Sequence, residues 1–231
     1  MNNSMDNQKS TREILPGLKK EGDEYTMRYL VRPLSRAPSL LLIKYTNITP
    51  NQVSIFSFFL AAISAVFFLR GEYLNQVIAV IFSLLYLIFD CVDGNIARVK
   101  QLKSLKGHWL DGIGGFIITP VLLFSLLWGM HDPSLFVLGS LAMLAYPMQY
   151  LLVYFYKFEI AKNSPTPIAS GTIIDKVRYV YGSALFFLLL AMAVLFGRIE
   201  LFLWFYAIFG NLFWVGTLAM QYLALRRDIQ P

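Results

Sequence analysis

The sequence has one cysteine, Cys91, and two histidines, His108 and His131. A single thiol excludes an internal disulfide framework and a thiolate-rich metal site. No histidine pair stands at ligand spacing, which argues against zinc or copper. Charge is scarce too: 15% of the 231 residues are Asp, Glu, Lys or Arg, against 57% apolar. That balance cannot clothe a water-exposed surface, and it excludes a disordered chain or a coiled coil. Short alternating apolar segments are lacking, which disfavours an outer-membrane barrel. Met1 to Asp23 has no apolar stretch before a cleavage site, so it does not read as a signal peptide.

What the chain has in quantity is long apolar runs, rich in its 19 Phe, 13 Tyr and 4 Trp. A helix needs roughly 20 such residues to cross a bilayer. Six runs qualify, at about residues 51–69, 74–97, 107–130, 133–157, 178–197 and 199–224, separated by polar or Gly/Pro-bearing breaks. With six crossings both termini share one side, and that side collects eighteen Lys and Arg, leaving Arg70 and Arg198 on the other. The positive-inside rule makes the basic side cytoplasmic. The net charge of +6 is thereby assigned to a membrane, not to nucleic acid. Ahead of the first run, Tyr25, Met27, Tyr29, Leu30, Val31 and Leu34 alternate with Arg28, Arg32 and Arg36, a pattern suited to a helix lying in the interface with its arginines on anionic headgroups. The expected fold is an all-α integral membrane protein with six transmembrane helices preceded by an interfacial amphipathic helix. Its divisions are a flexible polar tail over 1–23, an amphipathic juxtamembrane segment over 24–46, the six-helix domain over 47–225 and a short cytoplasmic tail over 226–231.

Asp90 and Asp93 close the second run and Asp111 lies near the start of the third. Ionisable residues within spans are costly and therefore functional candidates. The i, i+3 spacing puts Asp90 and Asp93 on one helix face, near the small residues Gly94 and Ala97. The spans are antiparallel and joined by a short basic turn, so the three carboxylates are expected to converge at the cytoplasmic end. Three hard oxygen donors favour Mg2+ or Mn2+. Arg98, Lys100, Lys103 and Lys106 stand at the same level, suited to phosphate oxygens. A structural cluster of Asp90 and Asp93 with Arg98 is the alternative.

The stretch Asp90-Cys91-Val92-Asp93-Gly94-Asn95-Ile96-Ala97-Arg98, then eight residues, Gly107, three residues and Asp111, resembles the signature of the CDP-alcohol phosphotransferase (CDP-alcohol phosphatidyltransferase) family, D-x2-D-G-x2-A-R-x8 or 9-G-x3-D-x3-D. Ile48 to Ser54 also resembles the family's entry into its six-helix domain. Seven of the eight fixed positions match; at the eighth, Gly115 stands where the family has its fourth aspartate. The resemblance implies transfer of a phosphoalcohol group, such as phosphatidyl, from a CDP-alcohol such as CDP-diacylglycerol to a hydroxyl acceptor, with release of CMP, in phospholipid biosynthesis. It further implies a two-metal Mg2+ or Mn2+ site on Asp90, Asp93 and Asp111, and contact with the nucleotide at Gly94, Ala97, Arg98 and Gly107. A homodimer in the cell (inner) membrane, its active site facing the cytoplasm, is implied as well.

In the family the missing aspartate is implied to be both metal ligand and general base, so Gly115 marks a vacant catalytic position. His108, three residues before Asp111, is the nearest replacement; Glu159 and Asp175 are weaker ones. Two other classes stay open: a degenerate protein that binds a CDP-alcohol or lipid without turnover, and an ion transporter. Clustering of the acids at one side of the membrane marks no path across it and counts against the transporter.

Overall fold

The computed structural model describes residues 14–18, 23–160 and 181–227. Asp175, Lys162, Lys176 and Arg178 lie outside the described residues. Among those described the chain is helical throughout, and no strand occurs. After a single turn at Leu15–Leu18, a π turn at Met27–Val31 leads into α1 (Arg32–Tyr45). The long helices follow: α2 (Pro50–Leu69), α3 (Tyr73–Val99), α4 (Leu105–Met130) and α5 (Ser134–Phe155). Then come α6 (Ser183–Leu195), α7 (Ile199–Phe205), a π turn and α8 (Asn211–Arg227).

Five helical stretches are long and apolar enough to cross a membrane: α2, α3, α4, α5 and the α7–α8 stretch Ile199–Leu223. The run expected as a span over 178–197 holds a helix of only 13 residues, α6. At 1.5 Å per residue that is about 20 Å, short of a hydrocarbon core of about 30 Å. Its first turn is held from outside the helix. The Glu24 carboxylate accepts from Ala184 N at 2.7 Å, and a Cβ on Gly182 would fall 1.5 Å from Glu24 Oε2. The far end of α6 meets the first residue of α3, where Tyr73 Oη donates to Leu195 O at 3.2 Å.

Two helix starts set the motif region. Thr49 and Gln52 form a reciprocal cap, Thr49 N donating to Gln52 Oε1 at 2.9 Å, and Pro50 opens α2 with its missing N–H at no cost. Ser104 caps α4 by accepting from Gly107 N at 3.0 Å. Between them Lys100, at the end of α3, donates to Thr46 O and Ile48 O, both at 3.1 Å. The lysine thereby ties the α3–α4 turn to the α1–α2 turn, and its burial pushes its ammonium below the usual lysine range.

Packing is uneven. Both motif helices, α3 and α4, pack extensively on α2 but touch each other little. At the end away from the motif the gap closes: Gly71, at φ +73°, and Gly129 bring two backbones together. At the motif end it stays open. The apolar core runs between, with Phe68, Leu126, Phe186, Phe187 and Tyr206 fully enclosed.

Helix α1 is two-sided, and one of its arginines does not take the expected headgroup position. Leu34 and Leu41 are exposed, whereas Arg32, Ser35 and Ser39 are buried. The polar stripe at 32, 35 and 39 follows helical spacing and packs on Asn95 of α3. Arg28 and Arg36 stay exposed, as a headgroup role requires, but Arg32 turns inward. Ahead of it, Ile14 and Leu18 are buried against Val99.

Candidate active site

Two cavities occupy the open end between α3 and α4. The smaller, about 360 Å³, gathers the motif: Asp90, Asp93, Gly94, Ala97, Arg98, Gly107, His108 and Asp111 all line it. The larger, about 580 Å³, is bordered by Asp90, Asp111, Gly115 and Tyr150, and by the start of α6 at Tyr181, Gly182 and Ser183. Asp90 and Asp111 belong to both walls, with Asp23 and Met27. The motif residues, with His108, Gly115 and Lys103, therefore border one composite space, whereas Lys100 and Lys106 line neither cavity. Glu159, in the turn that ends α5, lines neither cavity.

The helix geometry sorts the acids. Asp90 borders both cavities, but Asp93, a turn further along α3, borders only the smaller and accepts from Ser54 Oγ on α2. Asp111 is exposed. The carboxylates share a wall without gathering at a point: among the described residues no three acidic, His or Cys side chains lie close enough to hold one ion. Asp90, Asp93 and Asp111 thus line a shared space without forming a compact cluster among the described residues.

The Arg98 guanidinium faces the chain itself. Its Nε donates to Gly17 O at 3.0 Å and its Nη2 to Asn95 Oδ1. A Cβ on Gly94 would come within 3.2 Å of Arg98 Nη1, so the bare glycine leaves the guanidinium room. Gly107 is similarly confined, 3.1 Å from Asn51 Oδ1 at its would-be Cβ. His108 is exposed on the rim of the smaller cavity.

Gly115 faces Tyr150, whose ring carbons would stand 3.5 Å from an added Cβ, an ordinary contact. Tyr150 Oη donates to Tyr154 Oη at 3.0 Å, and Phe116 packs edge-on against the Tyr150 ring. The larger cavity is thus walled by tyrosines beside the position without a carboxylate.

Sequence reasoning missed Ser54 as a partner of Asp93, and Asp23 and Glu24 as wall residues. Asp23 pairs with Arg32 at 2.7 Å. Burial pushes the Glu24 carboxyl up to about 7, with Asp23 raising it further and the Ala184 and Ser183 donors opposing. No local spacing signals these: Ser54 and Glu24 find partners far away in sequence, and the nine-residue separation of Asp23 and Arg32 matches no helical repeat.

Comparison with known proteins bears on the same residues. Over 100 residues the chain is 32% identical to a protein named bifunctional IPC transferase and DIPP synthase from Thermococcus kodakarensis, covering 43% of this chain and 22% of that protein. A protein of the same name from Aquifex aeolicus is 31% identical over 100 residues, with the same coverage. The matched stretch thus spans less than a quarter of either relative. A sequence profile described as CDP-alcohol phosphatidyltransferase matches residues 47–221, which takes in α2 through most of α8 and every motif position. With the profile spanning well over half of the sequence, the chain belongs to the CDP-alcohol phosphatidyltransferase family.

Proposed function

We propose that this protein transfers a phosphoalcohol group, phosphatidyl in the first instance, from a CDP-alcohol such as CDP-diacylglycerol to a hydroxyl acceptor and releases CMP, in phospholipid biosynthesis. The observation that carries the reading is the meeting of two cavities at Asp90 and Asp111, beside the motif glycines. The smaller takes the cytidine diphosphate: Gly94, Ala97 and Gly107 admit it closely and Arg98 meets its phosphates. The larger takes the acceptor and presents its hydroxyl at the shared wall.

In donor chemistry Asp90, Asp93 and Asp111 fit a hard divalent cation, Mg2+ or Mn2+. Bound there, it would neutralise the charge that builds on the leaving CMP. The remaining work falls to the chain: Ser54 fixes Asp93, and the wall shared by the cavities holds the two substrates end to end. The acceptor oxygen forms the new bond to phosphorus, the bond from phosphorus to the CMP oxygen breaks, and the acceptor proton leaves. At Gly115 no carboxylate receives that proton, so turnover is slow. This vacancy favours a second reading, binding of a CDP-alcohol without turnover.

The six-crossing topology belongs to the same proposal. Contact of α6 with Tyr73 at the far end of α3 supports counting it as a crossing despite its length. With six crossings the motif end is the cytoplasmic one, by the distribution of Lys and Arg. The exposed leucines of α1 then face lipid.

The test is mass spectrometry of products from membranes given CDP-diacylglycerol, Mg2+ or Mn2+ and a panel of hydroxyl acceptors. One phosphatidyl product with matching CMP is expected, and Asp93→Asn should abolish it. CDP-alcohol bound with no CMP released would select the second reading.

A further inference from the structure

Arg32 stands before the residues matched by the family profile, 47–221. It is 8% exposed and sits in the wall of the smaller cavity with Asp93 and Arg98. Its Nε donates to Asp23 Oδ2 at 2.7 Å and its Nη2 to Asp23 Oδ1 at 3.3 Å. Its Nη1 donates to Asn95 Oδ1 at 2.9 Å. That oxygen also accepts from Arg98 Nη2, while the Asn95 amide donates to Ser39 Oγ at 2.8 Å. One asparagine on the motif helix therefore aligns two guanidinium groups along one cavity.

A guanidinium carries five N–H donors. Among the described residues three of those on Arg32 are engaged, which leaves donors on a group that borders the cavity. Its counter-ion, Asp23, borders the cavity too. A buried ion pair stabilises a fold little relative to apolar packing of the same volume. Setting one in the wall of a site where a diphosphate is to bind makes chemical sense as an exchange of anions, since guanidinium matches phosphate oxygens in the same forked geometry as a carboxylate.

We propose that Arg32 is a phosphate ligand of the nucleotide cavity, held by Asp23 until the diphosphate of a CDP-linked donor takes over part of its guanidinium. The proposal rests on the CDP-alcohol reading. No covalent bond changes in this step; Asp23 gives up one or both of its hydrogen bonds and the phosphate oxygens accept in its place. The juxtamembrane helix is then part of the nucleotide site, and Asp23 is a competitor that sets affinity.

The purified full chain, titrated calorimetrically with CDP in buffer containing Mg2+, tests this through Arg32→Gln, Arg32→Lys and Asp23→Asn. Arg32→Gln is expected to weaken CDP binding by about tenfold or more, the loss of a charge-assisted hydrogen bond. Arg32→Lys keeps the charge without the fork and should fall between. Asp23→Asn should tighten CDP by about threefold, since the competing charge is gone. A pair that merely ties α1 to α3 gives the contrary result: lowered melting temperatures, with CDP affinity unchanged in Arg32→Lys and unchanged or weaker in Asp23→Asn. That outcome overturns the proposal even where Arg32→Gln fails to fold. Wild-type protein that binds CDP and releases CMP while these variants leave its affinity unmoved sinks the Arg32 assignment alone. If wild-type protein binds no CDP, the assignment and the reading beneath it fall together.

Discussion

At the end of the bundle away from the motif, α2 and α4 meet backbone to backbone. A Cβ on Gly71 would fall 1.8 Å from Gly129 O, and one on Gly129 would fall 2.0 Å from Phe68 O. At the motif end the same residue type serves the opposite purpose: a Cβ on Gly115 would meet nothing nearer than the Tyr150 ring at 3.5 Å, and one on Gly112 nothing within 4 Å. Glycine thus closes one end of the helix bundle, while at the other Gly112 and Gly115 keep volume beside the confined Gly94, Gly107 and Gly114. α3 and α4 both lean on α2 instead of on each other, and at the motif end both cavities take their walls from the two of them.

The sharpest test fills the open end. Gly115→Asp restores the family pattern one helical turn beyond Asp111, and the space around its Cβ accommodates the change. CMP release, measured with CDP-diacylglycerol and an acceptor, should rise by about 10²-fold, the usual effect of gaining a positioned base. An unchanged or lower rate from an enzyme already turning over at an ordinary pace would mean that another group takes the proton, and His108→Ala would be the next variant to assay.

Filling the closed end should cost stability instead. Gly129→Ala pushes a methyl into a backbone oxygen, and the protein is expected to lose about 3 kcal/mol. Gly115→Ala should lose less than about 1 kcal/mol, its methyl meeting only an aromatic face. Denaturation in detergent compares the two; equal losses would erase the distinction between the ends.

The smallest effect concerns pH at the open end. The Glu24 carboxyl is pushed up to about 7 from an ordinary 4.5. Between those values the folded state binds more protons than the unfolded one, so stability falls as pH rises through the window and levels off above it. Glu24→Gln keeps an acceptor for Ala184 N while removing the charge. It should flatten that slope and leave the variant more stable at pH 8 by about 2 kcal/mol. Parallel melting curves for both proteins across pH 5 to 8 would contradict this.

The motif was legible because it is local: from Asp90 to Asp111 every fixed position sits on one turn and two helix ends. Five of the six apolar runs likewise announce themselves by length. What stayed hidden depends on partners far apart in sequence. Glu24 caps a helix 160 residues away, and Arg32 reaches Asn95 across 63. Neither leaves a periodic trace, and an arginine in an amphipathic segment reads as a headgroup contact until its partner is known. The acids illustrate a subtler limit. Spacing puts Asp90 and Asp93 on one face, but α2 supplies Ser54 to the second of them and turns it away from the larger cavity.

The shortness of α6 has a consequence for how the chain enters the membrane. A thirteen-residue apolar helix offers an insertion machinery a weak stop compared with the long helices around it. The next 25 residues, Ile199–Leu223, offer a strong one. Between them the chain reverses at Gly197, φ +64°, with Arg198 N donating back to Ala193 O at 2.7 Å. On the six-crossing reading, α6 and the stretch that follows are therefore delivered to the bilayer as a hairpin. The Glu24 carboxylate, made long before α6, then closes over that helix's first turn.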